Sequence, residues 1–231
     1  EKKYNKIIEI LKLDESQLAI KNKYLKKNNV ISIHFRKGDY KNLKNIYIIL
    51  NINYYIKALK YILENDKSKC DEVLCVYESK DKKEVSKMIE YLEDIFVNIT
   101  FIKVSHELED WEQMLLMSVC CHNIIANSTF SWWSAYMNKN IDKIICCPKK
   151  WFVKPRNLDG LFLKEWKIIK NEELNLLDFF SEMKKYTIIK MDTYFPLFNV
   201  GKDDVDILCN DMDNTINTII KIKNKKCPML K

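Results

Sequence analysis

Glycine and proline are scarce, with three and four residues in a chain of 231. That scarcity excludes collagen-like and Pro/Gly-rich disordered chains. No apolar run reaches the length of a membrane span and no signal peptide is recognisable, so no transmembrane segment is expected. There is no Cys-x-x-Cys with the spacing of a metal site. Arginine-rich blocks, zinc fingers, helix-turn-helix units and RNA-binding signatures are also missing, which argues against nucleic acid as a partner.

What is present suits a folded domain. Apolar residues make up 47% of the chain, enough for a sizeable core. The net charge of +7 comes from lysines scattered along the sequence, and it fits either a lysine-coated surface or an anion-binding protein. The eight cysteines include the neighbours Cys120-Cys121 and Cys146-Cys147. Neighbouring side chains on one element point apart, so unpaired buried thiols are expected, and with them a reducing, cytoplasmic location. The first residue is Glu rather than Met, so a fragment is expected. Asn98 and Asn127 stand in glycosylation sequons, the second inside the candidate site, and neither is expected to carry a glycan.

Hydrophobic periodicity orders the chain. A helical lead-in spans 1–27, with a break near Asp14 or Ser16. Strands are expected at 30–35, 72–77, 99–104, 123–126 and 143–147. Helices follow them from Asn53, from a cap at Asp81 with Glu84 completing a capping box, over 110–121 with Trp111, Met114, Leu115 and Val119 on one side, and over 128–138. Trp151, Phe152 and Trp166 read as aromatic anchors around the loop that follows. Strands alternating with helices imply an α/β fold: a parallel Rossmann-like sheet with helices on both faces, over residues 28–170. Loops after 35, 77, 104 and 126 should line one crevice. Residues 171–231 form a C-terminal extension, with a helix at 171–185, strands at 186–190 and 205–209, and a final helix at 211–221.

Two stretches carry chemistry. In the first, His34-Phe35-Arg36-Lys37-Gly38-Asp39-Tyr40 runs from a strand into a turn, at the edge where open α/β sheets bind ligands. Arg36 offers a permanently charged fork that fits a phosphate; in a nucleotide-sugar transferase it would stabilise the departing diphosphate. Alternatively it is a surface arginine paired with Asp39. His34 shares its strand face with Arg36 and could donate to a ribose or phosphate oxygen, orient Arg36, or be structural. Asp39 could accept a proton, but beside Arg36 and Lys37 its carboxyl should be a weak base, so holding Arg36 is favoured.

The second stretch runs from Asn127 to Asn138. Asn127, Ser128, Thr129, Phe130 and Ser131 pass from a strand into a helix N-terminus, where hydroxyls and N–H groups form either an anion site or an ordinary cap. Upstream, Asp110 either favours a helix dipole or accepts from a guanine, selecting GDP over UDP.

These residues resemble the α-1,2-fucosyltransferases of glycosyltransferase family 11. The first stretch is similar to that family's H-x-R-R-G-D-Y signature, and Asp110–Asn138 to a second one ending N-S-T-F-S-W-W. Asn53-Tyr54-Tyr55, Ala58 and Pro148-Lys149-Lys150-Trp151 also fit. The resemblance covers about 28–170. It implies a GT-B-like architecture, GDP-β-L-fucose as donor, a glycan acceptor, inversion, α-1,2 linkage and no metal or other cofactor. It assigns Arg36 to the donor phosphates, His34 to the nucleotide, and Ser128, Thr129 and Ser131 to the diphosphate and its surroundings. Asp110 as guanine reader comes from a looser likeness to related fucosyltransferases. The sequence departs from the family twice. The family's opening G-G-L-G-N-Q segment has no counterpart, so the donor-binding half alone is expected. The family's F-S-D-D is replaced by Val76-Tyr77-Glu78-Ser79-Lys80-Asp81. A fucosyltransferase of different linkage, or a non-catalytic GDP-sugar or glycan-binding module, is the alternative. Asp204–Leu208 is faintly similar to nucleotidyltransferase strands with paired carboxylates, but the Gly-Ser of such enzymes is missing upstream.

Overall fold

All six side chains of Val30–Phe35 are buried, as in a strand covered on both faces. This strand, β1, is central in the computed structural model, which describes residues 12–170 and, beyond them, 186–191 and 205–209. The chain divides into two compact units, residues 1–170 and 171–231.

In the first unit, helix α1 (Leu13–Tyr24) precedes β1. A 3-10 turn (Gly38–Leu43) and α2 (Ile52–Asn65) follow. Next come β2 (Glu72–Tyr77), a short 3-10 turn (Ser79–Asp81), α3 (Lys82–Ile95) and β3 (Thr100–Lys103). Then come α4 (Asp110–Ser118), β4 (His122–Ile124) and α5 (Thr129–Met137). Strands β5 (Ile145–Pro148) and β6 (Lys167–Ile169) complete the unit. In the second unit β7 (Tyr186–Met191) pairs antiparallel with β8 (Val205–Cys209). The helices expected at 171–185 and 211–221 lie outside the described residues.

The six strands β1–β6 are all parallel and lie in the order β3-β2-β1-β4-β5-β6. The order reverses between β1 and β4, the arrangement of a doubly wound dinucleotide-binding sheet. Successive side chains of β1 face opposite layers. Val30 packs with Leu74, Val76 and residues of α1, α4 and α5. On the other face the Phe35 ring lies 4.5 Å from that of Tyr55 on α2.

Buried polar groups fix the layers to one another. Asn123 of β4 donates to Ser32 of β1 and to the Met117 carbonyl of α4, both at 2.7 Å. Gln17 of α1 reaches Ser118 at 2.7 Å and the Met137 carbonyl at 3.2 Å. Tyr54 and Tyr55 are fully buried yet keep their hydroxyls bonded, to the Ile125 and His34 carbonyls respectively. At the N-terminal edge of the sheet, Ile144 N–H donates to His122 Nδ1 at 2.9 Å, and His122 Nε2 meets Asp66 at 2.9 Å. Nδ1 is therefore the acceptor and Nε2 carries the proton, which suits the carboxylate and disfavours a cation at this nitrogen.

Several expectations need correcting. Helix α1 runs unbroken through Asp14 and Ser16 and starts after Lys12, whose backbone is left-handed (φ 46°); the lead-in expected before Lys12 lies outside the described residues. Asp81 precedes α3 but makes no cap bond; tertiary partners engage its carboxylate instead. The capping box belongs to α4, where Glu109 and Glu112 are the pair. Trp111 is 54% exposed rather than part of the buried face of α4. Strand β6 was not anticipated. Among the described residues, six cysteines are buried and unpaired as expected, and Trp151 and Trp166 are buried in a cluster with α5.

Candidate functional site

The C-terminal ends of β1 and β4 open onto the point where strand order reverses, and helix α5 begins there. A ligand crevice belongs at this place in an open α/β sheet. The loops after β1 and β4 are bound together, because the buried Tyr40 hydroxyl donates to the Asn127 carbonyl at 2.9 Å.

Arg36 is the first residue beyond β1. Continuing the β1–β2 register, in which Phe35 faces Tyr77, places it opposite Glu78. One guanidinium terminus binds Glu78, the other Asp39 at 2.7 Å. The guanidinium also lies over the Tyr40 ring, 5.1 Å from its centre, a favourable cation–π distance. Its Nε is buried and has no partner among the described residues. Asp39 is about half exposed and holds Arg36 from within the same turn.

His34 is 3% exposed, and its ring lies 5.2 Å from that of Phe130 on α5. Burial first, and then the charge of Arg36, pushes its pKa down to about 3. The imidazole is therefore neutral, and its Nδ1 has no partner among the described residues. A neutral ring with an unused nitrogen beside a guanidinium is suited to hydrogen-bonding a ligand, and unsuited to serving as a cation.

Ser128 is the N-cap of α5 without a capping bond, so its hydroxyl remains available at the positive end of the helix. Thr129 is exposed and Phe130 half-buried. Asn127 and Ser131 are engaged elsewhere. The Asn127 amide donates to the Ile48 and Trp151 carbonyls at 2.8 and 2.9 Å. Ser131 accepts from Ala126 N–H at 3.2 Å and donates back into the same turn. Both side chains shape the loop. Asp110 is exposed in the first turn of α4, and the Glu109–Glu112 pair leaves it outside the cap.

Sequence reasoning missed Glu78, Lys80 and the network behind the loop. Lys37, only 4% exposed, binds Glu84 at 2.8 Å. Lys41 joins Asp81 at 2.9 Å and Glu84 at 2.7 Å. Asp81 also accepts from Gly38 N–H at 2.5 Å. These contacts pin the 3-10 turn to the start of α3. Glu84 is held below the usual carboxylate range: burial acts the other way, but the bonds from Lys37 and Lys41 outweigh it. The only sequence signal for Glu78 was the departure from F-S-D-D.

A family model for glycosyl transferase family 11 matches residues 6–170, which include both loops and α5. The chain belongs to glycosyl transferase family 11. Among curated relatives, the O-antigen biosynthesis glycosyltransferase WbnK of Escherichia coli is 34% identical to this family 11 chain over 144 residues, 60% of this chain and 44% of WbnK. An α-1,2-colitosyltransferase of Escherichia coli is 34% identical over 128 residues, 54% of this chain and 41% of the relative. The chain thus spans less than half the length of each of these relatives. Of solved structures, E. coli ADP-heptose LPS heptosyltransferase II aligns with a TM-score of 0.46 at 11% identity, covering 67% of this chain and 43% of that one. Among the described residues, no helix is long and apolar enough to cross a membrane.

Proposed function

We propose that residues 28–170 bind the donor of an inverting fucosyltransferase, taking GDP-β-L-fucose and serving transfer of L-fucose to a glycan hydroxyl in α-1,2 linkage. The observation that carries this reading is the convergence of Arg36, His34 and the N-terminus of α5 at the strand-order reversal between β1 and β4.

Arg36 meets the diphosphate as the glycosidic bond breaks, when charge builds on the leaving oxygen, so its fork favours the transition state over the ground state. The Ser128 hydroxyl and the first N–H groups of α5 receive phosphate oxygens. His34, neutral, hydrogen-bonds the nucleotide, and Asp110 accepts from guanine. Asp39 fixes Arg36 and is not the base. The acceptor hydroxyl attacks the anomeric carbon from the face opposite the diphosphate, which converts β to α. No metal or other cofactor takes part.

The name of the colitosyltransferase relative supports a second reading, in which the same site takes a colitose donor. Calorimetric titration of the chain with GDP, UDP, GDP-fucose and a colitose donor separates these readings. GDP should bind more tightly than UDP, and equal affinities would remove Asp110 and the guanine assignment. Transfer from GDP-fucose to a disaccharide panel distinguishes a transferase from a non-catalytic binding module.

A further inference from the structure

Four cations and four carboxylates around the Arg36 loop are paired with one another. Arg36, Lys37, Lys41 and Lys80 are matched by Asp39, Glu78, Asp81 and Glu84, each in at least one ion pair of this set. A nucleoside-diphosphate sugar is an anion, yet both guanidinium termini of Arg36 already hold a carboxylate. Glu78 is the unusual member. One of its oxygens takes Arg36, the other takes Lys80 at 2.6 Å. Its carboxylate also lies over Gly38, where a Cβ would stand 2.8 Å from both oxygens. Two oxygens held by a guanidinium and an ammonium, above a backbone position with no side chain, form the surroundings that a phosphate group takes. Glu78 side-chain exposure is 30% and that of Lys80 is 57%, so both can move into solvent.

We propose that the Glu78 carboxylate is an internal stand-in for a donor phosphate, occupying a cradle of Arg36, Lys80 and Gly38 until a phosphate displaces it. Lys80 then becomes a second phosphate ligand, and Glu78 sets how readily the donor enters. This rests on the donor-binding reading above.

Inorganic pyrophosphate, which carries no base or sugar, tests the cradle by calorimetry on the full chain. Glu78→Gln removes the competing charge and should tighten pyrophosphate and GDP by about tenfold, the worth of one charge-assisted bond. Lys80→Met, at an exposed position, should weaken pyrophosphate several-fold. Equal or weaker binding by Glu78→Gln would overturn the proposal and make Glu78 a fixed partner of Arg36. So would unchanged binding by Lys80→Met, or no pyrophosphate binding by any of the proteins. Failure of the donor reading looks different: pyrophosphate still responds to both substitutions, while GDP binds no better than UDP.

Discussion

His34 near the end of β1 and Arg36 just beyond it are two positions apart, and the fold surrounds them differently. Arg36 is held between the Asp39 and Glu78 carboxylates. Arg36→Ala should weaken GDP binding by about 2–3 kcal/mol, the worth of a charged, bidentate contact; unchanged affinity in a folded variant would remove Arg36 from the phosphate site. His34 stays neutral, and this shows in stability. Its pKa is near 6.5 in the unfolded chain and about 3 in the fold. The unfolded chain therefore takes up this proton first as the pH falls. The His34 contribution is complete above pH 6.5 and is lost toward pH 3, by about 1.4 kcal/mol per pH unit. Asp66 and Glu84, both held low, begin to matter only near their ordinary values of 3.8 and 4.5. Chemical denaturation in the window above those values should thus give a flatter pH dependence for His34→Asn than for the parent chain. Parallel curves would show that His34 titrates normally.

At the level of elements, the turn Gly38–Leu43 depends on Glu78 and Asp81, which arrive from beyond β2. A Cβ at Gly38 collides with the end of a flexible side chain, not with backbone, so Gly38→Ala should displace Glu78 and break its bonds to Arg36 and Lys80. We expect a cost of about 1–2 kcal/mol in the parent chain and nearly none in a Glu78→Ala background. A double-mutant cycle on unfolding free energies measures that coupling, and additive costs would refute it. The same elements show what the sequence could reveal. The β-branched and apolar residues Val30, Ile31, Ile33 and Phe35 of β1, and the apolar run from Val73 to Tyr77 of β2, make both strands legible to the residue. Strand β6 is three residues long with Lys167 and Ile168 exposed, so no alternation marks it. Asp81 and Glu84 have capping-box spacing, but Gly38, Lys37 and Lys41 draw both carboxylates away, a tertiary override of a local signal. Arg36 and Ser128 could be picked out because each follows a strand into a turn or helix. Glu78 lies 42 residues from Arg36, and only the β1–β2 register, which sequence alone does not supply, makes them neighbours.

For the whole molecule, every residue assigned to the donor lies in the unit of residues 1–170, where the family match also ends. The two described clusters of buried side chains, one reaching from Leu13 to Met137 and the other from Ile125 to Trp166, are built from described residues of that unit. A domain with its own core and its own site should fold and bind without its neighbour. A chain ending at Lys170 should therefore unfold in one cooperative transition and bind GDP with the affinity of the full chain, with calorimetry and denaturant unfolding as the measurements. A cooperative fold with tenfold weaker GDP binding would show that residues 171–231 contribute a donor contact. Loss of cooperativity would show that they complete the core. Equal affinity would confine the donor site to a single parallel sheet, and direct the search for acceptor contacts elsewhere.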